Sequence, residues 1–132
     1  MVIGRSPIPM SKSLDHPFII KNIFSLAERQ EELEWEHFRK DVDIHWIYQD
    51  GETGPAAALM RFKPGGKVSL HHHEGFEHII VLSGSQTDEN GHLEAGSLMV
   101  HTPGTSHSIY SKEGCLVLAI YEKRVSFAEQ EA

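Results

Sequence analysis

Cysteine occurs once in the chain, at Cys115, and positive charge is scarce: 12 Lys and Arg stand against 19 Asp and Glu, a formal charge of -7. The basic residues are scattered, with no cluster and no stripe interleaved with aromatic side chains, which argues against a nucleic-acid partner. Long apolar runs are also missing, so no segment is expected to span a membrane. The opening ten residues, Met-Val-Ile-Gly-Arg-Ser-Pro-Ile-Pro-Met, lack the apolar core of a secretory signal. The expected address is cytoplasmic, and a lone cysteine fits it. With 39% hydrophobic and 23% charged residues, 132 residues make one domain with a modest core and no separate substrate or partner domain.

Histidine is what the chain has in excess, ten in all. Beside a single cysteine, that excess points to nitrogen and oxygen ligands for a metal rather than thiolates. Four residues stand out by spacing. His71 and His73 are two apart on a predicted strand over Val68 to His73, so both imidazoles leave the same face about 6.6 Å apart while His72 faces the other way. Glu74-Gly75-Phe76 reads as a three-residue turn that brings Glu77 back antiparallel, opposite the pair. His107 arrives from a later strand after a turn at Gly104. Three neutral imidazoles and one carboxylate suit a divalent first-row ion, with Fe(II), Mn(II), Zn(II), Ni(II) and Cu(II) all admissible. Four protein ligands leave one or two positions open on a five- or six-coordinate ion, whereas a tetrahedral zinc would be closed and structural.

The rest of the chain divides into an N-terminal arm over residues 1–30, a strand-rich body over 31–125 and a short tail over 126–132. Pro7, Pro9 and Pro17 mark the arm as extended. Leu26 to Lys40 is ambiguous: Glu28 to Glu36 has helix-forming composition, yet Leu33, Trp35 and His37 alternate with Glu32, Glu34 and Glu36, and the alternation favours a strand over Leu33 to Phe38. Further strands are expected over Ile44 to Tyr48, Ala57 to Lys63, Glu77 to Ser83, Gln86 to Asp88, His92 to Glu94, Ser97 to His101, His107 to Tyr110 and Cys115 to Tyr121. The turn Asn90-Gly91 joins two of them. Short strands punctuated by turns predict an all-β barrel or sandwich. No internal repeat is visible.

Blander readings stand beside these. A triple histidine is also a common solvated cluster, and the frame of Glu77, His107 and glycines is what favours a metal. His16, His37, His78 and His92 read as surface residues or as neighbours of the ligands. His101 and His45 have no assignable face. Gly65, Gly84, Gly96 and Gly104 read as backbone requirements at turns and bends. Cys115 opens the apolar strand Cys-Leu-Val-Leu-Ala-Ile and reads as core rather than nucleophile. Trp35, Trp46, Phe62 and Tyr121 are core or pocket-lining candidates.

The glycine and ligand frame from Gly65 through His71, His73 and Glu77 to Gly84 resembles the first motif of the cupins at every fixed position. The second motif is matched at Gly96, Gly104 and His107, with Thr102 where the family usually has proline and Ser111 where it often has asparagine. The segments Ala58-Leu-Met-Arg-Phe-Lys-Pro-Gly-Gly66, Glu77 to Gly91, and Ala95 to His107 with Gly114-Cys115 are similar to the ChrR-like cupins, the cupin part of an anti-sigma factor, over roughly residues 33–122. The resemblance implies a double-stranded β-helix, or jelly-roll, barrel, one divalent metal ion such as Fe, Mn, Zn or Ni on His71, His73, Glu77 and His107, and a homodimer. The sigma-binding domain that precedes this cupin in anti-sigma factors has no counterpart in the first 30 residues, so an anti-sigma role is not expected.

Two function classes follow. One is a metal-dependent dioxygenase or related oxidoreductase acting on a small organic substrate that chelates through oxygens. The acetylacetone-cleaving dioxygenases are relatives of this kind, but they use three histidines without the glutamate, so their activity does not carry over directly. The other is a non-catalytic sensor in which an occupied metal site reports a small ligand. The barrel hosts both.

Overall fold

Residues 16–127 are described by a computed structural model. Ten strands carry the chain: β1 (Glu36–Arg39), β2 (Val42–Gln49), β3 (Ala56–Phe62), β4 (Lys67–His72), β5 (Glu77–Asp88), β6 (Gly91–Glu94), β7 (Leu98–His101), β8 (Ser106–Tyr110), β9 (Cys115–Tyr121) and β10 (Ser126–Phe127). All pairings are antiparallel. One sheet runs β1-β2-β3-β9-β5-β7 and the other β6-β5-β8-β4-β10, with β5 shared between them. This is the expected all-β jelly-roll barrel. Apolar alternation aims one face of each strand inward, and Val42, Ile44, Met60, Phe62, Val68, Ile79, Val81, Ile109, Val117 and Tyr121 fill the interior.

A single strand can belong to two sheets only if it bends. Its pairing with β9 slips between Val81 and Ser83, next to Gly84. Gly84 has φ +75, and a Cβ there would collide with the carbonyl oxygen of Gly114 and lie 2.8 Å from Cys115 Cα. Only glycine fits that conformation and that approach. The two sequence-predicted strands, Glu77 to Ser83 and Gln86 to Asp88, are therefore one strand with a glycine bend. The Asn90-Gly91 turn closes the β5–β6 hairpin, with Asp88 opposite Gly91.

Glu74-Gly75-Phe76 does not form a hairpin. β4 pairs with β8 and β10, and the first residues of β5 pair with β7 and β9, so the segment crosses from one sheet to the other. Both sheets of a barrel look onto the same interior, which is why the crossing still brings Glu77 toward the histidines.

Before β1 the chain forms a 3-10 helix over Ile23–Glu32, irregular at Arg29, and the strand starts at Glu36, three residues after the Leu33 start that alternation suggests. The helical composition won because a second apolar layer lies outside the first sheet. There Leu26, Leu33, Ile47, Ala57, Leu59 and Leu116 are buried, and the Trp35 indole N–H donates to the Gln30 carbonyl at 2.9 Å. Burying Leu26 contributes about 2 kcal/mol, enough to hold turns that are too short to persist alone. β10, which sequence patterning does not suggest, pairs Phe127 with His71. Among the described residues no helix is long and apolar enough to cross a membrane.

Candidate metal centre

His71 ends the inward face of β4 and lies directly opposite His107 of β8, their rings 4.5 Å apart. The β4–β8 register is irregular between Val68 and His71. Such a bulge re-aims a side chain, and here the carbonyl of Ser69 inside it accepts the His71 Nδ1–H at 2.9 Å. His73 lies just past β4. Its amide N–H donates to the Thr105 carbonyl at 2.8 Å and its own carbonyl accepts the Gly104 N–H at 2.9 Å, so the Gly104 turn fixes it. Glu77 is the first residue of β5. All four are buried, and their ligand atoms lie within 4.8 Å of one another.

The hydrogen bonds on the outer side of the rings decide which nitrogens face inward. Ser69 offers a carbonyl, which only accepts. Thr105 gives its hydroxyl proton to the Thr102 carbonyl at 2.6 Å and so accepts at its oxygen from His73 Nδ1, 3.1 Å away. Asp88 presents a carboxylate oxygen 2.7 Å from His107 Nδ1. Each Nδ1 therefore carries the proton, and each Nε2 presents a lone pair to the centre. His73 Nε2 lies 3.1 Å from Glu77 Oε1, and neither atom has a hydrogen-bond partner; His107 Nε2 is also unpartnered. Two lone pairs held at that distance repel unless a cation lies between them. The spacing is also close to the ~3 Å edge between neighbouring ligand atoms about 2.1 Å from one ion. The donor set fits a divalent metal.

Electrostatics agree with that fit. Burial pushes the His71 imidazole down to about 4, and it lowers His107 as well against the pull of Asp88. Burial works against the charged form of Glu77, yet the His101 ring beside it holds the carboxyl at about 2. At neutral pH the His71 and His107 imidazoles are neutral and Glu77 is an anion, the protonation states a divalent ion requires.

His101, whose face alternation leaves open, is buried at the same centre. It pairs with Glu77 across β5–β7, its Nδ1 is 3.1 Å from Glu77 Oε1, and its ring stacks on His73 with centroids 4.4 Å apart. Asp88 was legible as a strand residue but not as the partner of His107; the odd count from Glu77 hides it. His45 is elsewhere. Its Nδ1 is 2.7 Å from the Glu34 carbonyl and its ring packs edge-on to Trp35, on the opposite face of β2 from Ile44. His72 faces away, its Nδ1 3.1 Å from Ser106 Oγ. Ser111, the departure from asparagine, is fully buried and its hydroxyl donates to the Ser85 carbonyl at 2.6 Å, so it still ties the turn.

Beside the cluster runs a mostly apolar cavity between Phe38, Met60, Val68, Ile109, Val117 and Phe127, with His71, Glu77, Gln86 and Tyr121 as its polar groups. Its free volume is about 20 Å³, room for about one water molecule. Phe127 leans over His71 at 5.4 Å and closes one side.

No match exists among curated proteins. Among solved structures, the anti-sigma ChrR in its complex with SigE from Rhodobacter sphaeroides is 26% identical, with a TM-score of 0.63 over 74% of this chain and 55% of that one. The chain thus spans little more than half of that relative. A putative acetylacetone dioxygenase from Methylibium petroleiphilum superposes with a TM-score of 0.71 over 92% of this chain and 86% of that one, at 10% identity. The polyketide cyclase RemF from Streptomyces resistomycificus gives 0.61 over 75% and 82%, at 19% identity. These two show the fold alone. The family model of the ChrR cupin-like domain matches residues 26–124, and with a barrel of this topology around this cluster the chain belongs to that family.

Proposed function

We propose that this protein is a small metal-dependent cupin whose centre is His71, His73, Glu77 and His107, acting as a dioxygenase or related oxidoreductase on a small organic substrate that chelates through oxygens. One observation carries the reading: three outward Nδ1–H bonds turn three Nε2 lone pairs toward the centre, and those of His73 and His107 are buried without a partner, as is Glu77 Oε1. A divalent ion of the Fe, Mn, Zn or Ni type, when bound there, supplies a Lewis acid for a chelating substrate. The chain supplies the rest. Glu77 offsets part of the ionic charge, the apolar wall excludes water, and Gln86 and Tyr121 offer polar atoms that orient a ligand.

Anaerobic reconstitution with Fe(II), followed by β-diketones or phenolic acids, is expected to give O₂ uptake that His73→Ala abolishes. Elemental analysis is expected to find about one transition-metal equivalent per chain, lost in His71→Ala; a metal-free wild type defeats the reading. A second reading is a non-catalytic sensor cupin, in which the occupied metal site reports a small ligand. Tight binding of a small acid without turnover on any metal would select it. We further propose that the chain acts as a homodimer, paired through the exposed apolar side chains of β7 and β9.

A further inference from the structure

His101 is 4% exposed, and neither of its ring nitrogens has an aligned hydrogen-bond partner. Leaving a buried imidazole nitrogen unsatisfied costs about 1–3 kcal/mol, so this placement needs a reason. Its surroundings are specific. Nδ1 lies 3.1 Å from Glu77 Oε1, Nε2 lies 3.7 Å from Asp88 Oδ2, and the ring is wedged between His73, on which it stacks, and His107, 4.1 Å away. Glu77 Oε1 is itself without a donor, because the His73 nitrogen that faces it presents a lone pair. His101 Nδ1, 3.1 Å away, is the nitrogen within reach, and a small turn of its ring or of the carboxylate aligns an N–H with Oε1.

We infer that His101 is a positioning residue: by donating its Nδ1–H to Glu77 Oε1 while stacked on His73, it fixes the carboxylate so that a single oxygen faces the metal. This rests on the four-residue metal centre proposed above. A carboxylate free to turn binds a cation through one oxygen or through both. With one lone pair of Oε1 engaged by His101, turning to offer both oxygens breaks that bond. A coordination position consequently stays open for an exogenous ligand.

The test uses the full chain loaded with Co(II), whose visible bands report coordination number, and azide as the exogenous ligand. The wild type, His101→Leu and His101→Asn are each expected to hold one Co(II). In His101→Leu the bands weaken toward those of a higher coordination number and azide affinity falls roughly 10-fold or more, the range of other lost partners of metal ligands. His101→Asn places an amide N–H near the site of Nδ1 and is expected to restore both. Bands and azide affinity unchanged in His101→Leu, or altered alike in Leu and Asn variants, overturn the inference. If circular dichroism shows the Leu variant unfolded, His101→Asn against His101→Gln decides. Gln reaches the place of Nε2 instead, and identical spectra for the two also overturn it. A wild type that takes up no Co(II) defeats the metal centre itself, a different result from a loaded wild type indifferent to position 101.

Discussion

Asp88 holds its place with both oxygens. Oδ1 accepts the backbone N–H of Asn90 at 2.7 Å and of Gly91 at 3.2 Å, which leaves Oδ2 for His107. An acid so held resists rotation, and its partner ring cannot switch tautomer without losing the bond. Asp88→Asn is therefore expected to weaken metal affinity by about 10- to 100-fold while leaving the fold intact, measured by competition with a chelator. Cys115 behaves differently. Burial pushes its thiol from 9.0 up to about 11. Above pH 9 the unfolded chain has therefore lost a proton that the folded chain keeps. The corresponding stability, on the order of 2 kcal/mol, is complete below pH 9 and disappears as pH rises toward 11. Tyr121, raised well above 10 by burial and by Glu77, pulls in the same direction. Denaturant titrations at pH 8 and 11 are expected to show this loss, and Cys115→Ala to remove part of it. A thiol reagent at pH 7 should leave Cys115 of the folded protein unmodified.

At the scale of elements, the glycines separate two costs. Gly84→Ala meets backbone atoms of Gly114 and Cys115 that cannot step aside, whereas a Cβ at Gly104, φ +90, meets nothing within 4 Å. Gly104→Ala is expected to cost about 1–2 kcal/mol of conformational strain alone, and Gly84→Ala about 3 kcal/mol or more, both read from chemical denaturation. Strand positions were legible because β-branched and aromatic residues alternate along them, and Cys115 to Tyr121 coincides with β9 to the residue. The front of the chain was harder. Between Leu26 and Phe38 the helical and alternating patterns overlap, and only the outer apolar layer, a tertiary feature, decides for Leu26. The route from His73 to Glu77 was misread as a hairpin because turn chemistry is local, whereas which sheet the next strand joins is not. The grouping of His71, His73, Glu77 and His107 is legible in their spacing; that of His101 needs the β5–β7 register, which no single strand contains.

For the whole molecule, the outer face of the first sheet is uneven. The 3-10 helix packs against β5 and adds Leu26 to the outer apolar layer, but Leu98, Val100 and Ile120 remain exposed, and cross-strand pairing sets His78 between Val100 and Ile120. Such a stripe on an edge strand invites a second copy. Light scattering is expected to give twice the chain mass for the wild type and a monomer for Leu98→Glu combined with Val100→Glu. Both side chains are exposed within one chain, so the monomeric variant is expected to keep a cooperative fold.

Eleven steps separate Glu77 from Asp88, and an odd number in a regular strand sends two side chains to opposite sides. Residues 77, 79 and 81 point inward, yet so do 86 and 88, because the slipped step near Ser83 inserts half a period. A sister chain of the same length that paired regularly there would keep every candidate ligand, and still turn Asp88 to solvent and leave His107 without its anchor. The centre is tuned by an interval as much as by the letters that occupy it.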